Sequence, residues 1–101
     1  MIVTFASKRL ERLYTAGDGA EEYPEQVVNA FLRRIRSLEA AGDERDIRAQ
    51  RALRLEALKE KRYRGRHSIR VNDQWRLIIE FSGHGESKTV TIGELSKHYG
   101  D

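Results

Sequence analysis

The sequence contains no cysteine, a single proline and no long apolar run. Without cysteine, disulfides, iron–sulfur clusters and thiolate zinc sites are excluded. No segment approaches the ~20 consecutive apolar residues that cross a bilayer, and the first ten residues lack the basic-then-apolar order of a secretion signal. These absences predict a soluble, cytoplasmic protein that makes no contact with membranes.

Motifs for metal, nucleotide and acyl chemistry are missing as well. The three histidines, His67, His84 and His98, are far apart and lack HxxxH or HxH spacing. There is no P-loop, no GxGxxG and no GxSxG. We therefore expect no metal site and no cofactor, which leaves Arg, Lys, His, Tyr and carboxylates as the available chemical groups.

Positive charge is concentrated in one part of the chain. The net charge is +3, but residues 51–76 hold nine basic and three acidic residues. Seven of the nine are arginines, whose planar guanidinium matches a phosphate group. Such a segment is typical of a nucleic-acid-binding surface; the alternative is a solvated charged surface. Binding to an anionic membrane is disfavoured, because the segment reads as strand and loop rather than amphipathic helix.

The first half of the chain predicts a strand and two helices. Residues 2–5 are β-prone. Ser7 is expected to cap a first helix that Gly17 ends, and Pro24 to be the first residue of a second helix that Gly42 ends. Apolar residues recur along the second helix at three- and four-residue steps.

The second half predicts an antiparallel sheet. Alternation indicates three or four strands, near residues 53–58, 66–71, 75–81 and 88–95. We therefore expect one α+β domain over residues 1–101, in which an N-terminal strand and a two-helix hairpin precede an antiparallel sheet packed on the helices.

Alternation also predicts which side chains share a face of this sheet. The face under the helices should carry apolar residues, namely Ile69, Val71, Trp75, Leu77, Ile79, Phe81, Val90 and Ile92. The opposite face should carry Arg66, Ser68, Arg70, Arg76, Glu80, Thr89 and Thr91. An uncovered face with several arginines would suit the backbone of a nucleic acid.

Some side chains of this polar region are candidates for RNA cleavage through the 2′-hydroxyl, which requires proton transfer and stabilisation of the phosphorane charge. Arg76 lies on the polar face, where the alternative is an ordinary ion pair with Glu80 or Glu56. Lys59 begins a basic loop over residues 59–65; the alternative for Lys59 is a plain surface lysine. His98 and Tyr99 follow the last strand and would fold back over the sheet, unless they form a frayed tail.

The basic loop supplies candidates for gripping RNA rather than cutting it. Arg62, Arg64 and Arg66 alternate with Tyr63 and Gly65, as expected of a flexible loop that binds phosphates. Lys61 in the same loop and Arg70 on the following strand are further candidates. The alternative is a loop that only increases solubility.

Two segments of this region carry a family resemblance. Residues 55–59 read L-E-A-L-K, and residues 67–77 read H-S-I-R-V, then a turn, then W-R-L. Together with the chain length, the N-terminal strand and the helix pair, these segments resemble the HigB branch of the RelE/ParE toxin superfamily.

The resemblance implies a RelE-like fold and a toxin that cleaves mRNA in the decoding site of the ribosome without a metal. It also implies a helix-turn-helix antitoxin as partner, with operator DNA contacted only through that antitoxin. The family's active-site arginine and lysine match Arg76 and Lys59 in this sequence.

Two departures from the family pattern concern proton transfer. Relatives commonly carry histidine in the first segment, where this chain has Glu56 and Ala57, and they commonly end the last strand in D-Y-H. Here the chain ends in residues 96–99, S-K-H-Y, so His98 is the preferred counterpart of the terminal histidine and Tyr99 the second. Proton transfer would then fall to Lys59, Glu56, His98 or Tyr99.

Functions of other classes remain open from the sequence. One is a non-enzymatic toxin or RNA-binding module, as on the ParE side of the superfamily, whose members inhibit a different target without nuclease chemistry. A DNA-binding regulator is less favoured, because no helix shows a basic recognition face.

Overall fold

A computed structural model describes residues 1–97 of the chain. Within that range, α-helices pack on one side of a five-stranded sheet. The helices are α1 (Lys8–Ala16), α2 (Glu25–Ala40) and α3 (Glu44–Ala49). The strands are β1 (Ile2–Phe5), β2 (Glu56–Ala57), β3 (His67–Arg70), β4 (Trp75–Ser82) and β5 (Thr89–Lys97). The predicted α+β class is confirmed.

The first two helices begin and end close to the predicted residues. The hydroxyl of Ser7 accepts a hydrogen bond from the backbone N–H of Leu10 (3.2 Å), and Gly17 ends α1 in the left-handed conformation that glycine favours. Pro24 is the residue before α2 rather than its first helical residue. Every α-helix within residues 1–97 is too short or too polar to span a membrane.

The segment after α2 differs from the prediction. Asp43 caps the short helix α3 by accepting the backbone N–H of Arg45 (2.8 Å), and Ile47 is the only buried residue of that helix. Leu53 lies in a 3₁₀ turn and Arg54 is left-handed, with φ 48°. The prediction of a strand from residue 53 was therefore wrong, and strand pairing begins at Glu56.

The sheet is mixed rather than purely antiparallel. Its strand order is β1-β5-β4-β3-β2, and β1 pairs in parallel with β5 while the other pairs are antiparallel. The N-terminal strand, predicted at residues 2–5, thus forms one edge of the sheet, and its parallel pairing with β5 was not predicted from the sequence. The antiparallel strands of the second half are confirmed.

The two faces of the sheet separate as predicted. Apolar side chains of the face under the helices are almost fully buried, among them Ile69, Leu77, Ile79, Val90 and Ile92. They form one core with the buried stripe of α2, namely Val27, Ala30, Phe31, Ile35 and Leu38. The opposite face, called the open face below, carries Arg66, Ser68, Arg70, Arg76, Glu80, Thr89 and Thr91.

A β-bulge changes which side chains of β5 reach the open face. Ile79 pairs with Ile92, but Ile78 pairs with Glu94, so Gly93 is an extra residue without a partner on β4. Strict alternation from Ile92 would place Glu94 under the helices. The bulge instead places Glu94 on the open face and Leu95 in the core.

Candidate functional site

The candidate site occupies the open face where β3, β4 and β5 lie side by side. Arg76 on β4 pairs with Arg70 on β3 and with Ser96 on β5. The next row contains Ser68, Ile78 and Glu94 in the same strand order. Cross-strand neighbours share a face of a sheet, so two guanidinium groups and a carboxylate are presented on one surface.

Arg76 is held in an unusual environment for an arginine. Its side chain is 15% exposed, and its Nη2 atom lies 3.8 Å from Oε1 of Glu60. Its Nε atom is buried and has no hydrogen-bond partner within residues 1–97. The ion pair considered from sequence, with Glu80 or Glu56, is replaced by this long contact to Glu60, so much of the donor capacity of Arg76 is unused.

Tyr63 covers part of the open face beside Arg76. Its ring centroid lies 5.7 Å from the guanidinium carbon of Arg76 and 4.6 Å from that of Arg62. Its hydroxyl donates a hydrogen bond to Oε2 of Glu94 (2.9 Å). Burial raises the pKa of the Tyr63 phenol, and the hydrogen bond to Glu94 and the negative charge of Glu94 raise it further.

The loop that carries Tyr63 covers part of the open face, which was predicted to be uncovered. Ile78 points to this face, yet it is fully buried and lies outside the main core under the helices. The hydroxyl of Tyr63 is hydrogen-bonded to Glu94, the strand partner of Ile78, so the loop of Tyr63 lies against this part of the face. The open face is therefore covered at Ile78 and at Ser68, which is 6% exposed.

Two further catalytic candidates lie on or beside β2. Lys59 is exposed and immediately precedes Glu60, which contacts Arg76. Glu56 is exposed and pairs with Ser68 on β3. Because neighbouring strands are about 4.8 Å apart, the backbone of Glu56 lies about 10 Å from β4. His98 and Tyr99 fall outside the described residues.

The candidates for RNA binding differ in their contacts. Lys61 and Arg64 are exposed, and their side chains make no hydrogen bond or ion pair within the described part of the chain. Arg62 lies over the ring of Tyr63, Arg66 is 3.9 Å from Glu80, and Arg70 forms an ion pair with Asp73. The loop thus presents free cations, whereas the strand arginines are partly neutralised.

A small cavity lies on the open face beside the bulge. It has a volume of about 100 Å³ and is lined by Ala6, Arg66, Ile78, Ile79, Glu80, Thr91 and Gly93. The contact between Arg66 and Glu80 forms part of its lining.

His67 lies on the other face from Arg76. Its register partner is Ile79, and its ring meets that of Phe81 edge-on, with 5.2 Å between centroids. Burial and the nearby positive charge of Arg48 lower the pKa of His67, while Glu44 opposes that shift. This histidine therefore belongs to the packing of the helices on the sheet and not to the open face.

Two residues central to this geometry, Tyr63 and Glu94, were not singled out from sequence. For Tyr63, an aromatic residue inside a run of cations was a usable signal. A large ring in such a loop indicates that the loop packs against the rest of the protein. A glycine inside a predicted strand, here Gly93, was the signal for the bulge that presents Glu94.

The arrangement suits binding of a phosphate group better than binding of a cation. Within residues 1–97, no three His, Asp or Glu side chains come close enough together to hold a metal ion. The partly exposed guanidinium of Arg76 and the neighbouring basic loop instead offer donors to an anion.

Comparison with known proteins identifies a family for this chain. Residues 3–92 match the model of a family described as RelE-like toxin of type II toxin–antitoxin system HigB. The chain is 37% identical over 81 residues to Toxin HigB-1 of Vibrio cholerae serotype O1, covering 80% of this chain and 84% of that protein.

Solved structures share the fold. A YoeB/ParE toxin from Agrobacterium tumefaciens aligns with a TM-score of 0.60 at 15% identity, over 98% of this chain and 100% of that one. A YoeB-YefM complex from Staphylococcus aureus aligns with a TM-score of 0.62 at 18% identity, over 98% of both chains. On the family match and the identity to a HigB toxin, the chain belongs to the HigB-like family of RelE-type toxins of type II toxin–antitoxin systems.

Proposed function

We propose that this toxin acts in the cytoplasm as a ribosome-dependent endonuclease that cleaves mRNA in the decoding site. The observation that carries the proposal is Arg76, a guanidinium on the open face whose Nε has no partner within residues 1–97. It lies in a segment where basic residues outnumber acidic ones by nine to three. Membership of a toxin family supports the proposal.

The proposed reaction is metal-independent transesterification. The 2′-hydroxyl attacks the adjacent phosphorus, and the bond from phosphorus to the 5′-oxygen breaks. Arg76 and Lys59 stabilise the negative charge of the phosphorane. His98, with Tyr99 or Glu56 as the other candidates, takes the proton of the 2′-hydroxyl and returns one to the 5′-oxygen. The products are a 2′,3′-cyclic phosphate and a 5′-hydroxyl.

The remaining basic residues bind RNA in this proposal. Lys61, Arg62 and Arg64 in the loop, with Arg66 and Arg70 on the sheet side, contact the phosphates of the message and of ribosomal RNA. The ribosome holds the message in a fixed orientation. A site with few catalytic groups then suffices, because positioning supplies a large part of the rate.

A cognate helix-turn-helix antitoxin is the proposed partner that keeps the toxin inactive. The solved Staphylococcus aureus structure with this fold is a YoeB-YefM complex, which supports an antitoxin partner here. Co-expression of the neighbouring reading frame should restore growth to cells that express the toxin. Unrelieved growth arrest would contradict the pairing.

Cleavage is tested by translating a defined message with the purified protein and mapping the new 5′ ends. We expect ends within the decoding-site codon that carry a 5′-hydroxyl. Arg76→Ala should lower the cleavage rate about 10²- to 10³-fold, the usual effect of removing one donor to a developing oxyanion. Arg45→Ala is the matched control, because Arg45 is an 89% exposed arginine on the helix side that pairs with Asp43. Ends with a 5′-phosphate, or unchanged cleavage by Arg76→Ala, would contradict the mechanism.

A second candidate function is toxicity without nuclease activity. The observation that favours it is the presence of Glu56 and Ala57 where the related toxins commonly carry histidine. In that case growth arrest should persist in an Arg76→Ala, His98→Ala double variant. Loss of growth arrest in the double variant, with the fold intact, would exclude it.

A further inference from the structure

Arg76 lacks the contacts that usually fix an arginine side chain. The nearest carboxylate oxygen, on Glu60, is 3.8 Å away, beyond a hydrogen bond, and Nε has no partner within residues 1–97. The ring of Tyr63 does lie against the guanidinium, at 5.7 Å from centroid to carbon, within the range of a cation–π contact. The orientation of Arg76 thus depends on an aromatic ring more than on an ion pair.

Tyr63 is firmly held in turn. It is 3% exposed, and its hydroxyl donates to Glu94 at 2.9 Å. Tyr63 comes from the loop between β2 and β3, whereas Glu94 comes from β5, so this hydrogen bond ties the basic loop across two strands to the far side of the site. The bulge at Gly93 is what brings Glu94 to the open face.

Tyr63 is not placed to exchange protons with RNA. Its side chain is buried and its hydroxyl is already engaged with Glu94. Burial and Glu94 both raise the pKa of the phenol, which favours the protonated donor form. Its effect on the reaction must therefore pass through its neighbours.

We infer that Tyr63 and Glu94 are positioning residues, which orient the guanidinium of Arg76 toward the scissile phosphate and seat the basic loop beside it. The inference rests on the proposed nuclease function, in which Arg76 contacts the reacting phosphate. It predicts that cleavage depends on the ring of Tyr63 even though Tyr63 does not touch RNA.

The first measurement does not require nuclease activity. In a ¹⁵N-resolved NMR spectrum, the Nε–H signal of Arg76, assigned by its loss in Arg76→Ala, reports how the guanidinium is held. Tyr63→Leu removes the ring and should shift and broaden this signal. Tyr14→Leu is the matched control, because Tyr14 also donates to a glutamate, Glu39 at 2.6 Å, but in the helical layer. The control should leave the signal unchanged.

The second measurement is cleavage of message on translating ribosomes. Tyr63→Leu should lower kcat about ten- to a hundredfold, with KM changed less than about twofold, because misplacing a reacting group by about 1 Å has effects of this size. Tyr63→Phe keeps the ring and should stay within roughly fivefold of the wild type, because it loses only one hydrogen bond. Tyr14→Leu should cleave at the wild-type rate.

The outcomes separate this inference from the proposed function. If Arg76→Ala loses cleavage but folded Tyr63→Leu keeps its kcat and its Arg76 Nε–H signal, the positioning role is wrong and the proposed function stands. If Arg76→Ala cleaves normally, the role of Arg76 in cleavage is wrong and the inference falls with it. If Tyr63→Leu does not fold, Glu94→Ala replaces it, because it leaves the buried Tyr63 hydroxyl without its acceptor, which costs more than removing that hydroxyl in Tyr63→Phe and should displace the ring. An unchanged Nε–H signal and kcat in Glu94→Ala would overturn the inference.

Discussion

The two faces of the β-sheet differ in the burial and charge of their side chains. Along β4, Leu77 and Ile79 are 0% and 1% exposed beneath the helices, while Arg76 and Glu80, which flank this pair along the strand, point to the open face. Successive side chains of a strand point to opposite faces. A substitution on one face can therefore alter stability while a substitution at the next residue alters the chemistry of the other face. The helical side therefore stabilises the fold, while charged side chains of the open side remain partly exposed.

One patch departs from this simple division. Ile78 and Tyr63 are 0% and 3% exposed although they belong to the open side. Both lie outside the core under the helices, and the ring of Tyr63 lies against the guanidinium of Arg76.

The largest effect is expected from the face under the helices. Leu77→Ala should lower the free energy of unfolding by about 2–5 kcal/mol, because it leaves a cavity in a closely packed core. Glu80→Ala, on the open face of the same strand, should change it by less than about 0.5 kcal/mol. Urea denaturation measures both, and similar losses for the two variants would contradict the division between faces.

An arginine of the helical layer, Arg34, links the two sides, because its side chain hydrogen-bonds to the backbone at the end of β3. Arg34 of α2 donates from Nε to the carbonyl of Arg70 (2.7 Å) and from Nη2 to that of Val71 (3.4 Å), where β3 ends. Arg34→Met should lower the free energy of unfolding by roughly 1.5–3 kcal/mol, because these are hydrogen bonds from a charged donor.

The control for Arg34 is its exposed neighbour on α2, Arg33. Arg33→Met should fall within about 0.5 kcal/mol of the wild type in the same denaturation experiment. Equal stability of the two variants would mean that the Arg34 hydrogen bonds do not hold the end of β3.

A pH effect on stability is expected from His67 on the covered face. Its folded-state pKa is lowered by burial and by Arg48, against the opposing charge of Glu44. The unfolded chain therefore binds a proton more readily, and stability falls as the pH drops below the ordinary histidine pKa of about 6.5. His67→Phe should lose less stability than the wild type between pH 7 and pH 5.5, measured by urea denaturation. Identical pH dependence in the two proteins would refute this role.

The smallest effect is expected at the rim of the open face. The carboxylate of Glu60, 3.8 Å from Arg76 and half-exposed, competes with an incoming phosphate for the guanidinium. Glu60→Gln should raise cleavage at subsaturating ribosome concentration about two- to fivefold, the scale of an exposed ion pair. Glu86→Gln, in an exposed turn after β4, is the control and should have no effect. Slower cleavage by Glu60→Gln would show that Glu60 assists Arg76 instead.

The faces of the sheet could be predicted from sequence because the period of two is local. Arg76 and Leu77 are assigned to opposite faces by their immediate neighbours alone. The helix caps at Ser7 and Gly17 are local signals too, and the structure has them in place. The parallel pairing of β1 with β5 joins residues more than 80 positions apart, and no local pattern encodes it.

The parts of the site that escaped prediction depend on irregular backbone. Glu94 lies on the open face only because Gly93 adds a residue to β5, and strict alternation cannot foresee such a shift. Helix α3 has only six residues and one buried side chain, too few for a helical period. Tyr63 lies in a loop, where periodicity carries no information about packing.

The most direct test of the central claim is a cryo-electron microscopy structure of the toxin on a ribosome. The message would carry a 2′-O-methyl group at the cleavage position, which removes the attacking hydroxyl and holds the substrate intact. We expect the open face to meet the message, with the guanidinium of Arg76 within about 3 Å of a non-bridging oxygen of the scissile phosphate. A complex in which the helical layer faces the message, or in which Arg76 points away from that phosphate, would contradict it.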